Sequence, residues 1–186
     1  KWQGQCTACN AWNTLTEVRL GSSKSTGARN ARFDGYTGAA SQSQIQDLSE
    51  VNLADMPRFA SGSGELDRVL GGGLVPGSAI LIGGHPGAGK STLLLQTMCH
   101  LAQQMSALYV TGEESLQQVA LRANRLGINS QNLKMLSETS VEQLCRTAEQ
   151  LKPKVLVVDS IQVMHVEDVQ SAPGSVSQVR EAAAYL

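Results

Sequence analysis

Leu81-Ile82-Gly83-Gly84-His85-Pro86-Gly87-Ala88-Gly89-Lys90-Ser91-Thr92 is the stretch whose reading decides the fold. Gly84 to Ser91 fits G-x-x-x-x-G-K-[ST] at every fixed position, the pattern of a loop that wraps a phosphate chain. Gly84, Gly87 and Gly89 free the backbone to turn successive N–H groups inward on an anion. Lys90 adds a full positive charge for the β- and γ-phosphates, and the Ser91 hydroxyl is a ligand for Mg²⁺. The residues expected to contact the nucleotide are therefore Gly84, His85, Pro86, Gly87, Ala88, Gly89, Lys90, Ser91 and Thr92. A Gly-rich turn that matches by chance is the alternative. The flanks argue against it: Ala79 to Ile82 reads as a buried strand entering the loop, and Thr92 to Leu101 as a helix whose positive end faces the phosphates.

Working outward, the pattern is strand then helix, repeated. Gly62 to Gly73 reads as a short helix with Leu66, Val69 and Leu70 as its buried stripe and glycines at its end. Beyond the loop helix, Ala107 to Val110 predicts a strand, and Ser115 caps a helix over Leu116 to Leu126 that stops at Gly127. Leu133 to Leu136 is a third strand. A helix over Ser140 to Leu151 opens with a capping box of Ser140 and Gln143 and carries Val141, Leu144, Cys145, Ala148 and Leu151 on one face. Lys154 to Val158 is an unbroken apolar run, which suits a parallel strand covered on both faces. His165 to Gly174 is a loop, and a last helix starts at Ser175. Four such units predict an α/β fold: a P-loop core with a mostly parallel sheet flanked by helices, ligands lying at the carboxyl ends of the strands.

The ends differ from this core. Residues 1–19 hold Cys6-Thr7-Ala8-Cys9 and Trp12, and a C-x-x-C of this kind is commonly half of a tetrahedral Zn²⁺ knuckle. No second pair lies nearby, so zinc at Cys6 and Cys9 would need ligands upstream of Lys1. A redox pair and two unligated thiols are the other readings. Residues 20–46 are rich in Ser, Gly, Gln and Ala and read as a flexible linker. Residues 47–186 form the core, partial at its C-terminal end. The start at Lys1 and the end inside a helical pattern predict a piece of a longer protein. The net charge of −1 gives no global basic field, so nucleic-acid contact would need a local patch or an assembly. No apolar run approaches membrane-spanning length, and the four cysteines suit a reducing, cytoplasmic setting. Cys99 and Cys145 read as small core residues.

Hydrolysis needs more than a phosphate loop. Asp159 ends an apolar strand about seventy residues after the loop, the place of a carboxylate that holds Mg²⁺ directly or through water. Glu113 and Glu114 close the strand after the loop helix, on the same rim. Either could take a proton from water attacking the γ-phosphate, with Glu113 favoured as one step nearer the strand. With Lys90 these are the expected catalytic groups. An exposed acidic pair at a helix start is the bland reading. Ser160 could sense the γ-phosphate or bond the glutamate. Arg122 reads as a solvated helical arginine, with stacking on adenine as the alternative.

Taken together these residues resemble the RecA-type ATPase core, and more closely the bacterial RadA (Sms) family of DNA-repair ATPases. The resemblance is carried by Trp2-Gln3-Gly4-Gln5-Cys6 with Cys9 and Trp12-Asn13-Thr14, by Gly64 to Gly73, by the phosphate loop, by Tyr109-Val110-Thr111-Gly112-Glu113-Glu114-Ser115, by Val157-Val158-Asp159-Ser160 and by Ser171 to Ser175. It implies ATP and Mg²⁺ in the core and Zn²⁺ in the parent chain. It also implies binding to single-stranded and branched DNA, branch migration of recombination intermediates, a homo-hexameric ring, and work beside recombinase-type repair proteins. Glu113 matches the family's water-activating glutamate, and His165 to Gly174 resembles the first DNA loop of RecA-type cores. The first C-x-x-C, the later core strands, the second DNA loop, the Lys-Asn-Arg-Phe-Gly motif and the Lon-protease-like domain of that family are not in this stretch. A nucleotide-gated scaffold and a KaiC-like or helicase-like ATPase are the competing readings, and the Cys6/Cys9 knuckle counts against the latter.

Overall fold

A computed structural model describes residues 57–186 apart from residue 130, together with Asp47. The expected knuckle with Cys6 and Cys9, and the linker, lie outside the described residues. In chain order the elements are α1 (Gly64–Val69), α2 (Lys90–Leu101), β1 (Ala107–Thr111), α3 (Leu116–Arg125), β2 (Lys134–Ser137), α4 (Val141–Leu151), β3 (Val155–Asp159), a single 3₁₀ turn (Ile161–Val163) and α5 (Val176–Tyr185).

The three strands form one parallel sheet in the order β2-β1-β3. β1 is central and buried at all five positions, and its alternating side chains feed two cores. Ala107 and Tyr109 point to one face, where Leu95, Met98, Cys99 and Leu101 of α2 meet Val119 and Ala123 of α3. Leu108 and Val110 point to the other, against Val141 and Leu144 of α4, Met164, Val166, and Ala182 of α5. Each large side chain so enclosed contributes about 1.5–3 kcal/mol relative to exposure. The register aligns Thr111 with Ser137 on one side and Asp159 on the other, so three strands end on one rim. From β1 the chain steps to β2 and then crosses back past β1 to β3. α3 and α4 pack on opposite faces, and such a reversal opens a crevice at the carboxyl edge.

The caps follow the sequence closely. Ser115 closes a full capping box with Gln118 at the start of α3, and Gly127, with φ 64, follows its end. The box expected from Ser140 and Gln143 is only half made. Ser140 Oγ accepts from Gln143 N, but the Ser140 N–H donates to Glu138 Oε1 at 3.0 Å. Glu138 reaches the same orphan donor first.

Three expectations need correction. Ser78 to Ile82 pairs with no strand among the described residues, and Ile80 and Leu81 are 41% and 87% exposed. β3 is an edge strand among the described residues, half-buried along its length, with Val155 and Val157 packed against one core and Leu156 and Val158 against the other, as its apolar run predicts. The apolar stripe of α1 is also incomplete: Val69 is 69% exposed, while Leu66 and Leu70 are half-buried. α1 is held instead by polar bonds, Asp67 Oδ1 accepting from Ser61 N at 2.8 Å and Arg58 Nη1 donating to Leu70 O at 3.1 Å. The segment after it folds back through paired 2.8 Å bonds between Phe59 and Leu74. In α4, Leu151 is exposed, while Cys145 packs half-buried against the same core as the fully buried Val141 and Leu144.

Candidate active site

Three segments supply the candidate site, two of them at the carboxyl ends of β1 and β3. The first is the loop into α2. Gly89 is the N-cap residue, left-handed at φ 86, and it brings no capping side chain to the first turn. The leading N–H groups of α2 are thus left for an external acceptor. Gly87 also has positive φ, at 80°. Lys90 Nζ donates to Gly84 O at 2.7 Å and His85 O at 3.0 Å, which centres the ammonium in the loop. A cavity of about 250 Å³ lies over it, lined by Gly87, Gly89, Lys90, Ser91, Thr92 and Arg122. Pro86 and Ala88 are exposed on the loop. Left-handed glycines, an uncapped helix start, a lysine and an open cavity together fit the phosphates of a nucleotide.

The second segment is the turn after β1. Thr111 Oγ1 accepts from Glu114 N at 3.1 Å and donates to Glu114 O at 2.9 Å, clasping the turn at both backbone ends. Gly112 extends the sheet by one bond, its N–H donating to Asp159 O at 3.2 Å. The clasp sends the two glutamates opposite ways. Glu113 turns to β3, where Ser160 Oγ donates to its Oε1 at 2.5 Å. Glu114 turns to α3 and takes both oxygens to Arg122 Nη2.

The third segment ends β3. The Asp159 carboxylate accepts the Tyr109 hydroxyl at 2.5 Å. Burial raises the Tyr109 pKa far above the ordinary tyrosine range, the bond and charge of Asp159 add to the rise, and Arg122 opposes it. Tyr109 is therefore a permanent donor. Among the described residues no group of three or more His, Cys, Asp or Glu gathers to hold a metal ion. Ser91 and Asp159 carry oxygens of the kind that could hold Mg²⁺.

Residues 46–185 match the family model described as an AAA domain. The chain belongs to this AAA family. It is 70% identical over its whole length to the DNA repair protein RadA of Haemophilus influenzae, 68% to that of Escherichia coli, and 46% to that of Bacillus subtilis. In each case the alignment covers all of this chain and 40% of the relative. The chain thus spans less than half the length of the relatives it matches. The resemblance to the RadA family drawn from the motifs holds along the whole chain, and the α/β P-loop fold holds over the described residues of the core.

Sequence reading missed two contacts at this AAA site. Tyr109 was read only as a strand residue, and the signal was there: it lies two residues before Thr111, which the parallel register sets opposite Asp159. Arg122 was read as solvated, whereas its side chain is 13% exposed and paired with Glu114. A separation of eight residues across a capped turn matches no helical spacing, so no pattern marks it.

Proposed function

We propose that this chain is the ATP-binding part of a DNA-dependent ATPase of recombinational DNA repair. In this reading the parent protein binds single-stranded DNA, promotes branch migration of recombination intermediates, and works in the cytoplasm as a homo-hexamer. Residues 47–186 are the ATPase core, 20–46 a linker, and 1–19 half of a zinc knuckle that uses Cys6 and Cys9 with upstream ligands. The names of the relatives support the DNA-repair setting, and the P-loop geometry supports ATP as the substrate.

The observation that carries the reading is the Ser160–Glu113 bond beside Asp159 at the carboxyl ends of β1 and β3. Gly84 to Thr92 wrap the phosphates, with the backbone N–H groups of Gly87, Gly89, Lys90, Ser91 and Thr92 as donors, and Lys90 turns its ammonium from Gly84 O and His85 O to the β- and γ-oxygens. Ser91 and Asp159 would hold Mg²⁺, which would supply positive charge to neutralise the phosphates. Ser160 fixes one oxygen of Glu113, and the other takes a proton from the attacking water. Tyr109 keeps the Asp159 carboxylate turned to its position.

ATP turnover of the full-length protein, with and without single-stranded DNA, tests this. Glu113→Gln is expected to lower turnover by about 100-fold or more while ATP binding is kept, since general base catalysis is worth that much. Lys90→Ala is expected to weaken ATP binding itself. Unchanged turnover in Glu113→Gln refutes the water-activating role, and turnover indifferent to DNA favours a nucleotide-gated scaffold.

A further inference from the structure

Glu113 and Glu114 are adjacent carboxylates on the catalytic rim, and the geometry gives them separate tasks. Glu114 binds Arg122 through both its oxygens, and all of that contact falls on one nitrogen, Nη2. The other terminal nitrogen, Nη1, is buried and has no hydrogen-bond partner among the described residues. The same side chain lines the phosphate-loop cavity together with Gly87, Gly89 and Lys90. An unmet buried guanidinium donor is unfavourable, and it is relieved by an acceptor brought to the site. Two backbone devices hold the pair in place. Thr111 clasps Glu114 at N and O, and the Ser115–Gln118 box fixes the start of the helix that carries Arg122.

We propose that Glu114 is a positioning residue for nucleotide binding: it holds Arg122 at the wall of the phosphate-loop cavity, where the unpaired guanidinium nitrogen donates to the bound nucleoside triphosphate. Glu114 is then not the water-activating group. The proposal rests on the nucleotide reading above and assigns a further binding residue to the same site.

The carboxylate held by Ser160 and the one held by Arg122 respond to the same change in different ways. In Glu114→Gln, Arg122 loses its ionic hold and its orientation, so affinity falls while the chemical step stays intact. A charge-assisted hydrogen bond is worth enough to change affinity about tenfold.

The test measures equilibrium binding of a fluorescent ATP analogue together with kcat and KM for ATP in the full-length protein. The variants are Glu114→Gln, Arg122→Gln, the double variant, and Glu113→Gln, each checked for folding by thermal melting. Each single change at 114 or 122 is expected to raise Kd and KM about tenfold with kcat within about twofold, and the double variant to be no worse than either. Glu113→Gln is expected to do the reverse, losing kcat and keeping Kd. Arg122→Lys, which keeps the charge against Glu114 and so protects the fold, is still expected to raise Kd because the second planar donor is gone. Unchanged Kd in Glu114→Gln and Arg122→Lys overturns the proposal. So does a collapse of kcat in Glu114→Gln with Kd intact, which would make Glu114 the base. Failure of the unmodified protein to bind the analogue overturns the nucleotide reading itself, a result distinct from the other two.

Discussion

Tyr109→Phe removes one oxygen from the most enclosed strand of the sheet, and its effect has two parts that separate with pH. At neutral pH the variant loses the hydroxyl's bond to the Asp159 carboxylate, a charged hydrogen bond worth about 1.5–3 kcal/mol. The alkaline part has a definite sign. The folded pKa of Tyr109 is raised, first by burial and then by the bond and charge of Asp159, whereas in the unfolded chain the group titrates near its ordinary value of about 10. Below pH of about 10 both states hold the proton and the stabilisation is fully present. Above it the unfolded chain releases the proton while folded Tyr109 keeps it, so stability falls as pH rises, by up to about 1.4 kcal/mol per pH unit. Phenylalanine cannot ionise, so the variant escapes this slope. Urea denaturation at pH 8 and pH 11 is expected to show the stability gap between the two proteins narrowing by about 1.4 kcal/mol. A gap that stays constant would mean that Tyr109 ionises as freely in the folded protein as in the unfolded one, and would refute the enclosed donor.

Other changes probe the supports of the site. A Cβ on Gly112 would stand 2.5 Å from Val163 Cγ2 and 3.1 Å from Thr139 Cγ2. Gly112→Ala is thus expected to lower stability by about 1–3 kcal/mol in urea titration and to reduce turnover by shifting the neighbouring Glu113. Ser115→Ala opens the capping box of α3 and is expected to cost about 1 kcal/mol by the same measurement, with ATP affinity falling as Arg122 loosens. Gln178, 3% exposed, accepts from Val166 N and donates to the carbonyls of Val166, Val169 and Ser171. Gln178→Leu leaves those groups unmet and is expected to destabilise by at least about 2 kcal/mol, with faster amide exchange confined first to residues 165–171.

The elements most legible in the sequence are those set by local chemistry. The glycines and Lys90 of the phosphate loop, the Ser115 and Ser175 caps, and the apolar run of β1 each carry their instruction within a few residues. The structure places these much as the pattern predicts. What local pattern cannot carry is partner choice. Strand position favours Glu113 over Glu114 by one step, but it is the Thr111 clasp and the approach of β3 and α3 that send one to Ser160 and the other to Arg122. Gln178 reads as a polar helix residue until the 165–171 loop folds over it.

The same limit explains the strand that is not there. Val155 to Val158 and Ala79 to Ile82 are both short apolar runs entering a functional turn, and periodicity cannot separate them. β3 pairs with β1 along five residues, whereas Ala79 to Ile82 has no ladder partner among the described residues and leaves Ile80 and Leu81 in solvent. A strand is a relation between segments, since its backbone donors need a neighbour to accept them. An apolar run therefore states a capacity to pair, and the register of the sheet decides which runs use it. The phosphate loop needs no such neighbour for its own shape: left-handed glycines and the Lys90 bonds to Gly84 and His85 close it locally. That is why the loop can keep its form beside an unpaired segment, and why the nucleotide cavity is the part of the site least dependent on the rest of the sheet.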